Sequence, residues 1–214
     1  MQASEHSETG AALMAQRALK HGVWVTGGVI EEDEEGILYN SMPIYGPDGK
    51  LVQTYRKIHL SRVMGITSES DVLAAGTDPA TFTVPGDGSG LLVGMACCFD
   101  LRFPVFLAQY GPRVPSPVHC VCAPSAFLDV TGREHWELLL RRTALDGQCF
   151  VIAPDIAYDA RDATPLHGRS MVVDPFGRVL AQCDSEGDGV AMANVNAERV
   201  SEVRSKLPLT LWPA

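Results

Sequence analysis

The stretch from Leu91 to Tyr110 limits the fold more than any other part of the chain. Leu91 to Cys97 is an uninterrupted apolar run without polar alternation, the pattern of a strand buried on both faces. It leads directly into a segment that reads as a helix from about Leu101 to Tyr110, with Pro104 tolerated in the first turn. A buried strand that turns sharply into a helix requires a sheet with helices on its faces. The fold class expected is therefore α/β in layers.

The flanking sequence fits such a frame. Glu8 to His21 places Leu13, Met14, Ala18 and Leu19 at helical spacing, and Gly22 stops the helix. Strands are expected at Val23–Ile30, Ile37–Tyr45 and Leu51–Lys57, joined by the turns EEDEEG and GPDGK, an antiparallel meander. Ile58 to Pro79 has no sustained period and is long for a connection, which marks it as a functional loop. Further on, strands are expected at Val118–Ala123, Cys149–Pro154, His167–Val173, Val179–Cys183 and Val190–Asn194. Helices are expected at Arg133–Leu145 and Ala197–Leu207, and Asp174-Pro175-Phe176-Gly177 is a turn. With 214 residues, 46% of them hydrophobic, residues 1–214 are expected to form one domain.

A net charge of -9 argues against nucleic acid or an anionic membrane as partner, because a phosphate-tracking surface needs clustered Lys and Arg. A small molecule is the expected ligand. No apolar run approaches the roughly 20 residues that span a bilayer, and MQASEHSETG lacks the basic and apolar regions of a signal peptide. A soluble, cytoplasmic protein is expected, with its 6 cysteines as thiols rather than a disulfide framework.

Two positions stand out for chemistry. Cys98 lies where the buried strand gives way to the helix, in GMACCFDLRFP, where the helix N-terminus would lower a thiol pKa. Neighbours on a strand face opposite sides, so at most one of Cys97 and Cys98 is expected to be a nucleophile; the plainer reading makes both small core residues. Lys57 ends the third strand in TYRKIHL, from where its charge could stabilise a thiolate and an oxyanion, although most such lysines are solvated strand ends.

TYRKIHL followed by GMACCFDLRFP resembles the paired signature of the nitrilase (carbon-nitrogen hydrolase) superfamily, with Lys in a K-x-H-L string and Cys in a C-[YF]-D-x-R-F-P string. GGVIEEDEEGILYNSMPIYGPDGKLV, APSAFLDVTGREHWELLLRRTALDGQCFVIAP and HGRSMVVDPFGRVLA are similar in content and order to the omega-amidase branch. The resemblance implies a four-layer αββα sandwich lacking the family's first strand and helix, with Cys98 as nucleophile and Lys57 as the oxyanion-stabilising cation. Phe99 would lend a backbone N–H to the oxyanion hole. It further implies that Glu69 is the family's second glutamate and that Glu137 lies near the cleft, supporting Lys57. The family's general-base glutamate sits in a Pro-Glu string upstream of the helix that opens this sequence; Glu5 and Glu8 match a later helix and do not replace it.

On this likeness the reaction is hydrolysis of a small amide to acid and ammonia through a cysteine thioester. A dicarboxylic acid monoamide such as 2-oxoglutaramate or 2-oxosuccinamate is the implied substrate, a homo-oligomer the implied assembly, and no cofactor or metal is implied. The alternative is a catalytically inactive protein that keeps the fold. A thiol redox or metal-binding protein is a third reading. Against it, Cys120 and Cys122 beside His119 lack a second pair at zinc-like spacing. Gly27-Gly28 lacks the dinucleotide-binding frame, and the run Glu31 to Glu35 reads as a solvated turn. Asp100 and Arg102 are expected to form a local ion pair that holds the corner after Cys98.

Overall fold

The computed structural model describes residues 9–62, 68–86, 90–157, 159 and 164–209. Helix α1 (Gly10–His21) starts where the Thr9 hydroxyl accepts the Ala12 N–H and ends on Gly22, whose φ of 63° suits a residue without a side chain. Glu8, expected in this helix, lies outside the described residues.

The meander forms as a small antiparallel sheet of β1 (Val25–Thr26), β2 (Val29–Glu32), β3 (Leu38–Tyr45) and β4 (Leu51–Arg56). The strand expected over Val23–Ile30 is broken at Gly27-Gly28. Val25 opposite Tyr45 and Val29 opposite Ser41 nonetheless keep one register along β3, so the break opens a gap without a slip. The acidic run is only partly a solvated turn, because Glu31 lies on β2 and pairs with Arg56 on β4 across β3, Nη2 to Oε1 2.6 Å.

The second sheet has six strands in the order β10-β9-β8-β7-β6-β5. They are β5 (Thr81–Val84), β6 (Leu91–Met95), β7 (Cys120–Cys122), β8 (Phe150–Ala153), β9 (Met171–Val173) and β10 (Val179–Gln182). Pairing is parallel from β6 through β7 to β8 and antiparallel outside them. The parallel strands are connected by crossovers that carry the short helix α2 (Pro104–Leu107) and the long helix α3 (Asp129–Gly147).

Some elements differ from the sequence expectation, for local reasons. The helix expected over Leu101–Tyr110 is a 3₁₀ turn at Cys98–Arg102, then α2, then a second 3₁₀ turn at Ala108–Tyr110. Pro104 disfavours helical geometry in the residue before it, and Phe103 is extended at φ -110°, ψ 90°. Helix α3 begins earlier than Arg133 and ends where Gln148 turns left-handed at φ 44°. Left-handed Gly168 and Arg169 shorten the expected His167–Val173 strand to β9. Val190–Asn194 forms no strand: Val190 and Met192 are more than four-fifths exposed, and among the described residues no strand pairs with them. β5, a TFTV string, escaped the sequence reading. Helix α4 (Ala197–Lys206) forms as expected, capped by the Asn196 side chain on the Arg199 N–H.

The layers stack as α1, small sheet, large sheet, then α2 and α3, an αββα sandwich. Met42, Ile44 and Tyr55 of the small sheet share one buried core with Phe82, Val93 and Met95 of the large sheet. Trp24 stacks on Phe82 with ring centroids 5.5 Å apart. On the far face, the Tyr110 ring lies flat on Gly94, where a Cβ would come within 2.8 Å of it. The Tyr110 hydroxyl donates to the Met95 carbonyl oxygen at 2.7 Å and so pins this helical segment to the strand end.

Gly94→Ala is expected to push the Tyr110 ring off β6 and lower unfolding free energy by about 1–3 kcal/mol, measured by chemical denaturation.

Candidate active site

The C-terminal ends of β6, β7 and β8 point the same way, so the segments that leave them gather at one edge of the large sheet. Pro124 to Ala126 after β7 and Pro154 to Ile156 after β8 are tied together: the Ser125 N–H donates to the Pro154 carbonyl and the Ile156 N–H to that of Ser125. The small sheet adds the end of β4 and the gap at Gly27-Gly28. Together these walls enclose a cleft of about 620 Å³, lined by Lys57, Glu69, Cys97, Cys98 and Asp155 among others.

Lys57 is 2% exposed, and its backbone N–H donates to the Asn40 carbonyl of β3. Its ammonium pairs with Glu69, Nζ to Oε2 2.5 Å. The Glu69 carboxylate also accepts the Ser61 N–H at 2.6 Å and the Asn40 side-chain N–H at 3.0 Å. Burial works against charge on both partners. For Lys57 the nearby Cys97 and Cys98 sulfurs and Glu69 outweigh it and raise the pKa. For Glu69 the Lys57 hydrogen bond and the Ser61 N–H outweigh it and lower the pKa, so the pair stays ionised. The structure thus brings Lys57 and Glu69 together, from a strand end and a 3₁₀ turn at Glu69–Asp71.

Cys98 sits on a strained corner with φ at 47°, left-handed for a residue with a side chain. Its N–H donates to the Pro124 carbonyl at 3.0 Å, which holds the corner against the β7 loop. The corner also breaks strand alternation, so Cys97 and Cys98 both line the cleft, against the expectation that they face opposite sides. Cys97 is buried and directs its sulfur at the Asn40 side-chain oxygen, 3.7 Å away, whereas Cys98 is half-buried with its sulfur 3.9 Å from the Ala126 carbonyl. Burial pushes the Cys98 thiol up despite the opposing charge of Lys57, contrary to the depression expected from a helix N-terminus. A short 3₁₀ turn provides little dipole, and desolvation dominates. A thiol in this state needs a proton acceptor to become a nucleophile.

Asp100 is fully buried and does not pair with Arg102 as expected. It joins the two sequence strings instead. Its carboxylate accepts the Tyr55 hydroxyl at 2.7 Å, the His59 N–H at 2.9 Å and the Cys97 N–H at 2.8 Å, with His59 Nδ1 at 2.8 Å. His59 is further held by stacking on Phe103, centroids 3.7 Å apart. Arg102 turns outward over the Phe127 ring and contacts His135.

Phe99 follows Cys98 in the opening of the 3₁₀ turn, where backbone N–H groups lack an acceptor within the helix. Its ring packs edge-on against Phe103. Glu137 is not brought to Lys57. Because α3 starts at Asp129, Glu137 lies beyond the first turn, where it is exposed, pairs with Arg141 at 2.9 Å and lines a different hollow with Asp129 and His167.

The sequence reading missed Asp155. It is 8% exposed, with Oδ1 accepting the Phe127 N–H at 2.9 Å and Oδ2 without a hydrogen-bond partner among the described residues. Burial pushes its carboxyl up to about 7. Its place at the end of a parallel strand was the available signal. Among the described residues no cluster of three or more His, Cys, Asp or Glu could hold a metal ion, and Cys120 and Cys122 are buried thiols.

Known proteins resemble this chain along most of its length. The profile of the carbon-nitrogen hydrolase family matches residues 2–205. Omega-amidase NIT2 of Danio rerio is 34% identical over 202 residues, covering 92% of this chain and 70% of the relative. Deaminated glutathione amidase of Mus musculus is 35% identical over 209 residues, covering 91% of this chain and 61% of that protein. The crystal structure of Saccharomyces cerevisiae Nit3, a nitrilase superfamily member, superposes with a TM-score of 0.81 at 30% identity, covering 94% of this chain and 69% of that one.

Two stability effects are expected. Asp100→Ala removes the shared acceptor of Tyr55, His59 and Cys97 and should cost about 3 kcal/mol or more in denaturant unfolding. Asp155→Asn should stabilise the protein at alkaline pH. The folded carboxyl at about 7 holds its proton more tightly than an unfolded aspartate near 4, so wild-type stability falls as pH rises through that window. The gain should approach about 4 kcal/mol above pH 7 and fade towards pH 4, as read by denaturation at a series of pH values.

Proposed function

The chain belongs to the carbon-nitrogen hydrolase family, and on that premise we propose that it hydrolyses a small carboxamide to its acid and ammonia through a thioester on Cys98. The observation that carries this reading is the meeting of Cys98, on its strained corner, with the Lys57–Glu69 ion pair in one cleft.

In this mechanism the Cys98 sulfur attacks the amide carbonyl carbon, and the thiol proton passes to the nitrogen that will leave. The carbonyl π electrons move onto oxygen, where the Lys57 ammonium and the Phe99 N–H stabilise the developing charge. Glu69 keeps Lys57 charged and aimed, because a buried ammonium without a partner would be driven towards its neutral form. Collapse of the tetrahedral adduct breaks the C–N bond, and the nitrogen leaves as ammonia. Water then attacks the thioester carbonyl and releases the acid and the Cys98 thiol. Likeness to the omega-amidases supports ω-amides of small dicarboxylic acids, 2-oxoglutaramate and 2-oxosuccinamate, as substrates. We further propose a homo-oligomer, as the family resemblance of its sequence implies, and a cytoplasmic location.

The test is ammonia release from these ω-amides. Cys98→Ala is expected to abolish it, and Lys57→Gln to lower kcat/KM by on the order of a hundredfold or more, the scale of losing an oxyanion partner. Wild-type protein that releases no ammonia from any small amide, although folded, would instead be a non-catalytic member of the family.

A further inference from the structure

Among the described residues, three that line the cleft carry ionisable side chains other than thiols: Lys57, Glu69 and Asp155. Lys57 and Glu69 form an ion pair and cancel, so of these three Asp155 sets the net charge that a ligand meets. Its position is built rather than incidental. Oδ1 is anchored by the Phe127 N–H, and the Asp155 N–H donates to the Ser170 hydroxyl at 2.9 Å. The carboxyl is therefore held in the wall of the cleft while Oδ2 stays unpartnered among the described residues. A buried oxygen with no partner is costly, and more so when it carries charge.

We propose that Asp155 is the charge gate of this cleft: ionised, it turns away substrates with a carboxylate and favours uncharged amides, and protonated, it admits both. The proposal rests on the reading of this cleft as the amide site. The carboxyl titrates at about 7 because burial disfavours its charge, so both states lie within an ordinary pH range. Among the described residues, the charged and titratable groups that line the cleft with it are Lys57, Glu69, Cys97 and Cys98; Arg102, in contact with His135, lies over the ring of Phe127, whose N–H holds Asp155, and His167 and Arg169 precede Ser170 in sequence. Lys57 and Glu69 keep their charges through neutrality, and burial holds both thiols protonated.

The gate can be tested without amide turnover, by alkylating Cys98 with iodoacetamide, which is neutral, and iodoacetate, which is anionic. With each, the same Cys98 thiolate attacks the reagent's CH2 carbon, a C–S bond forms as the C–I bond breaks and iodide leaves, so the ratio of their rates cancels thiolate ionisation. Labelling is read at the Cys98 peptide by mass spectrometry. In the wild type the iodoacetamide-to-iodoacetate ratio is expected to rise on the order of tenfold from about pH 6 to about pH 8, as the carboxyl ionises beside the anionic reagent. In Asp155→Asn, which keeps the Oδ1 acceptor for Phe127, the ratio should stay flat. Asp155→Ser should flatten it too.

A wild-type ratio that stays flat, or one that rises equally in both variants, overturns the gate. Ammonia release measured alongside separates the two readings. Turnover with a flat ratio removes the gate alone, whereas a gated ratio without turnover supports the gate and removes the amidase reading. A Cys98 left unlabelled by both reagents overturns both.

Discussion

The carboxylate of Asp100 is the interaction on which the rest of the site depends. It lies at the junction of the two sheets, fully buried, and takes hydrogen bonds from Tyr55 and His59 of one string and from Cys97 of the other. An acceptor of this kind could not be left in the core without partners, because an unpaired buried carboxylate is too costly. The strand end that carries Lys57 and the corner that carries Cys98 are thereby locked at one separation. Strain at the left-handed Cys98 is tolerated because hydrogen bonds to Pro124 and Asp100 hold both sides of the corner.

The parallel core of the large sheet determines where chemistry is located. Parallel strands release their chains at one edge, so the loops after β6, β7 and β8 converge there even though they are far apart in sequence. The small sheet closes the opposite wall with Lys57 and with the break at Gly27-Gly28, which interrupts a strand without changing its register. The resulting cleft combines a charged pair, two thiols and a half-satisfied carboxyl in a setting of low polarity, where each charge acts more strongly than in water.

Within that setting the electrostatic roles are unequal. Glu69 has its oxygens engaged by Lys57, Ser61 and Asn40, and its pKa is lowered, so it serves the lysine and is a poor proton acceptor. Asp155 has one oxygen engaged and one unpartnered among the described residues, and burial raises its pKa. Two carboxyls in one cleft are thus driven in opposite directions, Glu69 down by its hydrogen bonds and Asp155 up by burial, a division that carboxylate pairs in one site often show.

The mixed α/β class, the meander, the buried run before Cys98 and the paired strings around Lys57 and Cys98 were all legible in the sequence, because they are local patterns of hydrophobicity, turn residues and motif order. The segmentation after Cys98 was only partly legible, since Pro104 was visible but the extended Phe103 before it was not inferred. Val190 and Met192 looked like a strand by composition, yet strands require a partner, and none pairs with them among the described residues. Only the tertiary structure decided that Asp100 binds Tyr55 and His59 instead of Arg102, that Glu137 faces a separate hollow, and that Cys97 shares the cleft with Cys98. It alone brought Asp155 to the same wall. These are contacts between residues distant in the chain, set by how parallel strand ends and two sheets meet, and no local pattern encodes that meeting.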